Sequence, residues 1–243
     1  MLVDPGSGSL ERIGRSGADL STLQYILITR LHIDHTGDLP AVVAHLYSRH
    51  RRRPISLAGP AKRSPNGAAP ENAWAQPGAA EFVRLLFGPD GAWRYTNIFE
   101  GFGVDVRETP SDPEDATIDA IPVDEVLEDL GVSIYAAAVP DGMMPAIAYR
   151  VECDERSVVF SGDGPGNAAA PMALARNCSM LVHDFARPAA AGRAARESGA
   201  QILLLSHCLP AVESDLAAAL AVVRREYGGK IAFASDLDIH DFP

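Results

Sequence analysis

The ten residues Thr29-Arg30-Leu31-His32-Ile33-Asp34-His35-Thr36-Gly37-Asp38 constrain this chain more than any other stretch. Two imidazoles and a carboxylate fall within the four residues from His32 to His35, and groups of these types can converge on a divalent cation. The apolar run Tyr25-Ile26-Leu27-Ile28 just before them reads as a buried strand that holds the loop rigid. Asp38-Leu39-Pro40 after them predicts a helix start with Pro just inside it. Leu39, Val42, Val43, Leu46 and Tyr47 then recur at helical spacing as an apolar stripe. The motif is therefore expected at the turn of a strand–loop–helix unit.

The rest of the chain repeats that alternation, which predicts an α/β arrangement. Expected strands are Ile55 to Ala58, ending at Gly59-Pro60, then Val132 to Val139, Ala146 to Glu152, Ser157 to Ser161, Met180 to His183, Ile202 to Ser206 and Ile231 to Ala234. Expected helices are Asn167 to Arg176, Pro188 to Ser198 and Val212 to Tyr227. Residues 61–78 are rich in Pro, Gly, Ala and Asn and predict a loop or lid, and Pro110 to Leu130 reads as a second specificity loop. There is no solenoid-type repeat. The 243 residues are read as a single domain, 1–243, and their 47% hydrophobic content suffices for a substantial core.

Several strands end in a polar group of ligand type, which is where α/β folds expose chemistry. Asp163 follows Phe160-Ser161-Gly162, and His207 follows Leu203-Leu204-Leu205-Ser206. His183 precedes Asp184 at another strand end, and Asp141 lies in the turn Val139-Pro140-Asp141-Gly142. Singly, each has a bland reading as a turn carboxylate or a hydrogen-bonded histidine; their order along the chain is what is specific. His45 and His50 read as surface residues on the helix after the motif, and His240 as part of a solvated acidic tail. The net charge of −11 disfavours nucleic acid as a partner, because phosphate contacts need a basic face. The one basic run, Ser48-Arg49-His50-Arg51-Arg52-Arg53, reads as a solvated helix end. No apolar run is long enough for a membrane span, and no signal peptide opens the chain, so a cytoplasmic location is expected. Cys153, Cys178 and Cys208 are dispersed and read as buried thiols in a reducing compartment.

The loop resembles the His-x-His-x-Asp-His signature of the metallo-β-lactamase superfamily, with Arg30 in place of the first His. Leu2-Val3-Asp4-Pro5-Gly6 is similar to that family's early strand-and-turn element, Ser161-Gly162-Asp163 to the segment of its bridging Asp, and Ser206-His207 to its late His. Pro145-Ala146-Ile147-Ala148-Tyr149-Arg150 and Leu181-Val182-His183-Asp184 resemble the branch of ribonuclease Z and arylsulfatase-type hydrolases. The resemblance implies a four-layer αβ/βα sandwich, here N-terminally shortened. The family's upstream strands are missing, so either the true start lies further upstream, which leaves the cytoplasmic location open, or a homodimer covers the exposed edge.

Carried over by position, the resemblance makes Asp34, His35, Asp163 and His207 a complete second metal site. The first site falls on Arg30, His32 and Asp141, and a guanidinium offers only donors. An Arg30–Asp141 ion pair across the vacated position is expected, leaving one ion per chain; Zn2+ is favoured, with Mn2+ or Fe also accepted by mixed His/carboxylate sets. The rival is a dinuclear site with Asp141 as ligand. The implied activity is hydrolysis of an ester, phosphodiester or sulfate ester by activated water, with a small anionic substrate preferred. Asp34 or Asp163 would orient the water or take its proton, Arg30 would stabilise the anionic transition state if not fully occupied by Asp141, and His183 would assist proton transfer. The alternative is a degenerate member that binds a metal or ligand without turnover, since four protein ligands can close a structural site.

Overall fold

The computed structural model of the chain describes residues 1–63, 76–98, 100–112, 114, 117–140, 144–164 and 168–241. Contacts divide it into two compact units, Met1–Asp112 with Met143–Pro145, and Pro113–Gly142 with Ala146–Pro243.

The first unit runs β1 (Leu2–Val3), α1 (Ser9–Ser16), β2 (Tyr25–Leu27), α2 (Ile33–Thr36), α3 (Leu39–Ser48), β3 (Ile55–Pro60), α4 (Ala79–Phe87) and β4 (Val104–Thr109). Its four strands form one sheet in the order β1-β2-β3-β4, every pair parallel. Parallel strands covered on both faces read as unbroken apolar runs, and Tyr25, Ile26, Leu27 and Ile28 are all buried. Leu39, Val42, Val43 and Leu46, the stripe expected on α3, pack against Ile26, Ile28, Ile55 and Leu57. Asp38 is the residue before α3, as expected, but its carboxylate accepts from the backbone N–H of Leu10 at 2.9 Å rather than capping α3. The basic run is only in part the solvated helix end it resembles. The Arg51 guanidinium donates to the carbonyls of Leu23, Arg53 and Pro54 at 2.7–3.0 Å, tying the chain after α3 to the strands on either side.

The second unit runs β5 (Asp119–Ile121), α5 (Glu125–Asp129), β6 (Val132–Ala138), β7 (Ile147–Cys153), β8 (Arg156–Phe160), α6 (Ala169–Leu174), β9 (Met180–Asp184), α7 (Pro188–Ser198), β10 (Ile202–Ser206), α8 (Pro210–Glu213), α9 (Leu216–Glu226) and β11 (Lys230–Phe233). Its sheet has seven strands in the order β11-β10-β9-β8-β7-β6-β5. The half from β8 to β11 is parallel and the half from β5 to β8 antiparallel. Leu181, Leu203, Leu205, Phe185 and Val223 build the core beneath the parallel half.

Several expectations are corrected. The helix read from Val212 to Tyr227 is two helices, because the Asp215 carboxylate accepts from the N–H of Ala218 and starts a new one. Pro110 to Leu130 is not only loop: among its described residues it carries β5 and α5, the latter capped by Asp124 at the N–H of Leu127. β3 continues through Gly59 and Pro60, paired with Glu108 and Thr109 of the edge strand β4. His50 lies past the end of α3 with φ 57°. Of the thiols only Cys178 is buried, which pushes its pKa up to about 11; Cys153 is exposed and Cys208 intermediate. Residues 64–75 of the expected lid lie outside the described residues. No helix among the described residues is long and apolar enough to cross a membrane.

Candidate metal centre

In the first unit the chemistry sits at the C-terminal end of β2. Thr29 and Arg30 leave the strand, and the short helix α2 brings Asp34 and His35 back to them. One oxygen of Asp4 accepts the N–H of Thr29 at 2.7 Å. The other accepts the Thr29 hydroxyl at 2.6 Å and faces Nδ1 of His35 at 2.9 Å. A carboxylate only accepts when ionised, so the proton of the His35 ring sits on Nδ1 and the lone pair on Nε2. That lone pair meets the Arg30 side chain, whose Nε–H donates to Nε2 at 3.2 Å. Arg30 Nη2 lies 3.9 Å from Asp34 Oδ2, and His35 Nε2 lies 3.5 Å from the same oxygen. Arg30 is 9% exposed and His35 5%, whereas the Asp34 carboxylate is half in solvent. Gly6 makes the approach of Asp4 feasible, because a Cβ there would overlap the carbonyl oxygen of Asp34. Asp4 itself has φ 47°, a left-handed conformation that costs a non-glycine residue about 1 kcal/mol.

In the second unit three adjacent parallel strands deliver polar groups at their C-terminal ends. Phe160 of β8 pairs with Val182 of β9, and Leu205 and Ser206 of β10 pair with His183 and Asp184. The residues just beyond, Asp163 and His207, thereby come together, with Asp163 Oδ2 3.4 Å from His207 Nδ1. Turns through left-handed residues, Gly162 at φ 62° and His207 at φ 51°, aim both side chains. His183 is buried, its Nδ1 donating to the carbonyl of Asp184 at 2.8 Å, and its Nε2 has no hydrogen-bond partner. It lines a cavity of about 20 Å³ with Val139, Ser161, Met172 and Leu181, room for about one water. The Asp184 carboxyl is also buried. Desolvation raises its pKa above the usual carboxylate range, against the opposing pull of the His183 charge. Its Oδ1 accepts the N–H of Ala186 at 3.0 Å, while Oδ2 has no partner.

Of the residues singled out in the sequence, Arg30, Asp34 and His35 meet in the first unit, and Asp163 and His207 in the second. His32 is the residue before α2, partly exposed, and its side chain makes no cap hydrogen bond. Asp141, and with it the expected Arg30–Asp141 pair, lies outside the described residues. His240 faces Asp238 at 3.8 Å in the C-terminal tail. Two residues were missed. Asp4 carried no signal as a partner of His35, 31 positions away. Arg187 is exposed just before α7 and donates from Nη2 to the carbonyl of Asp163 at 3.2 Å, which places a cation beside that carboxylate's turn.

A mostly parallel α/β chain that gathers carboxylates and imidazoles at the ends of its strands has the form of a metal-dependent hydrolase. The superfamily model for metallo-β-lactamases matches residues 1–172, and the chain belongs to that superfamily. It is similar to a protein named ribonuclease Z from Mycolicibacterium paratuberculosis, with 29% identity over 269 residues covering 97% of this chain and 85% of that one. A ribonuclease Z from Mycobacterium avium is 28% identical with the same coverage. Among solved structures, the short form of human tRNase Z superposes with a TM-score of 0.66 at 16% identity, covering 100% of this chain and 87% of the other. The metallo-β-lactamase fold protein YhfI from Bacillus subtilis gives 0.65 at 15% identity, covering 97% and 84%. The fold is thus that of the metallo-β-lactamases, and the chain is a metal-dependent hydrolase of that superfamily, similar to proteins named ribonuclease Z.

Proposed function

We propose that residues 1–243 are one metallo-β-lactamase-type domain and that Asp34, His35, Asp163 and His207 hold a single divalent cation, Zn2+ by preference, with Mn2+ or Fe as substitutes. The observation that carries this reading is the Asp4–His35 contact. A histidine whose Nδ1–H is held by a carboxylate keeps its Nε2 lone pair for a metal, and such orienting partners accompany metal-binding histidines generally. Two carboxylates and two imidazoles also suit a zinc-like ion. By position, His32 and Asp141 are what remains of a first site; the third position of that site is Arg30, whose guanidinium offers only donors, so we infer one ion rather than two.

These residues would hold the ion, and a zinc-like ion so held would supply a water nucleophile at neutral pH, with a pKa of about 7. Asp34, half exposed, orients that water or accepts its proton. His183, whose Nε2 has no hydrogen-bond partner, assists proton transfer. Arg30, 3.9 Å from the Asp34 carboxylate, and Arg187, which donates to the Asp163 carbonyl, stabilise negative charge on the substrate. The substrate is a small anionic ester. A phosphodiester is favoured over a sulfate or carboxyl ester by the ribonuclease Z relatives. The net charge of −11 argues against a long nucleic acid. The reducing setting expected for three free thiols agrees with action in the cytoplasm.

Metal analysis of the purified chain is expected to find one ion per chain. A screen of aryl phosphodiesters, aryl sulfates, lactones and carboxyl esters is expected to show hydrolysis of the phosphodiesters, with His207→Ala lowering kcat/KM by about a hundredfold or more. Activity that survives His207→Ala would refute this chemistry.

A further inference from the structure

We propose that Arg30 is a built-in competitor for the metal, an internal cation that the arriving ion must displace from His35. The inference rests on the reading of His35 as a ligand and adds what limits that ligand. An imidazole nitrogen has one lone pair. With Nδ1 of His35 turned to Asp4, the lone pair on Nε2 is the one left for coordination, and the Arg30 Nε–H points at it from 3.2 Å. The same nitrogen cannot accept that hydrogen bond and bind a cation. The guanidinium also reaches to 3.9 Å from Asp34 Oδ2, so it interacts with both ligand types of the motif at once.

Its position is set by the backbone. Arg30 follows Thr29, whose N–H and hydroxyl are both held by Asp4, and is itself 9% exposed. The side chain is therefore part of the packed loop. An arginine stays protonated at any pH a protein survives, so the competition cannot be relieved by deprotonation. Only movement relieves it. Loading requires the guanidinium to leave Nε2, and once released it carries its charge to where an anionic substrate can meet it. Arg30 thus weakens the empty site's affinity for metal and couples metal loading to the appearance of an anion-binding group.

The test uses the full chain, stripped with a chelator. In the metal-free protein the Arg30 Nε–H signal, followed by 15N NMR, is expected to be protected from solvent exchange, and one equivalent of Zn2+ is expected to remove that protection. Arg30→Met, which keeps length but loses donor and charge, is expected to bind Zn2+ about ten- to a hundredfold more tightly in competition with a chromogenic chelator, the value of one charge-assisted hydrogen bond. Zinc bound with the Arg30 signal unchanged overturns the proposal, as does a folded Arg30→Met chain that binds no more tightly than wild type. Should Arg30→Met not fold, the NMR experiment on the wild-type chain decides alone. If neither chain takes up zinc, the four-ligand reading fails and the competition with it, an outcome distinct from equal binding by both.

Discussion

Asp4 spends both carboxylate oxygens on the metal loop, one on the backbone of Thr29 and the other on the Thr29 hydroxyl and the ring of His35. Asp4→Ala removes the group that selects the Nε2 lone pair and is expected to weaken zinc binding about ten- to a hundredfold in a chelator competition. Unchanged affinity would mean that the ring is oriented by something else. Nothing in Leu2-Val3-Asp4-Pro5-Gly6 beyond a strand and a turn pointed to this role, because the contact depends on β1 lying parallel to β2. Asp184 carries a second residue-scale prediction. Burial raises its folded pKa above the ordinary value of an aspartate, so the neutral acid is the form the fold favours. Its stabilising contribution is fully present below the unfolded pKa and is lost as pH rises through the raised folded value. Asp184→Asn, neutral at all pH, is expected to gain on the wild type as pH rises from about 4 to neutrality in urea unfolding of the metal-free chain. A stability difference that does not change with pH would show the carboxyl to be solvated.

Elements deliver these residues from the C-terminal ends of parallel strands: Asp4, Asp163 and His207 lie just past β1, β8 and β10, His183 is in the last two residues of β9, and Asp34 and His35 sit on α2 in the connection that follows β2. The strand interiors were legible because burial on both faces demands unbroken apolar runs such as Ile202 to Leu205. So was α7, whose bounds agree with the sequence reading, since Pro188 fits its first turn and Gly199 its left-handed end. The break between α8 and α9 was not legible, because the Leu/Val stripe runs across it and one capping aspartate outweighs the pattern locally. α1 escaped notice because its apolar face is short: Leu10 and Ile13 are its only large apolar residues, and neither is fully buried. Gly6 is the element-scale weak point. Gly6→Ala must push the β1 turn off the Asp34 carbonyl, and it is expected to lower stability by about 1–3 kcal/mol and to lower zinc affinity with it. Loss of stability with full zinc affinity would show that the turn supports the fold and not the loop.

At the scale of the whole molecule, the proposed ligands come from two stretches remote in the chain, Asp34 with His35 and Asp163 with His207. An ion that binds only the folded chain stabilises it by mass action, by about 2.7 kcal/mol at a free concentration a hundredfold above its Kd. Zinc is therefore expected to raise the Tm, and chelation to lower it. Hydrogen exchange should slow on zinc addition both around Thr29 to Asp38 and around Ser161 to Asp163 and His207. Slowing confined to one of these regions would count against a shared ion. The sequence by itself determined the family and the α/β alternation, because apolar periodicity and the order of His and Asp along the chain are local, one-dimensional properties. Only the tertiary structure decided that Asp4 selects the His35 lone pair, that Arg30 lies against it, and that Arg187 stands beside Asp163. Those contacts depend on strand register and on distances of a few ångströms between segments remote in sequence or joined by tight turns, which composition and spacing do not encode.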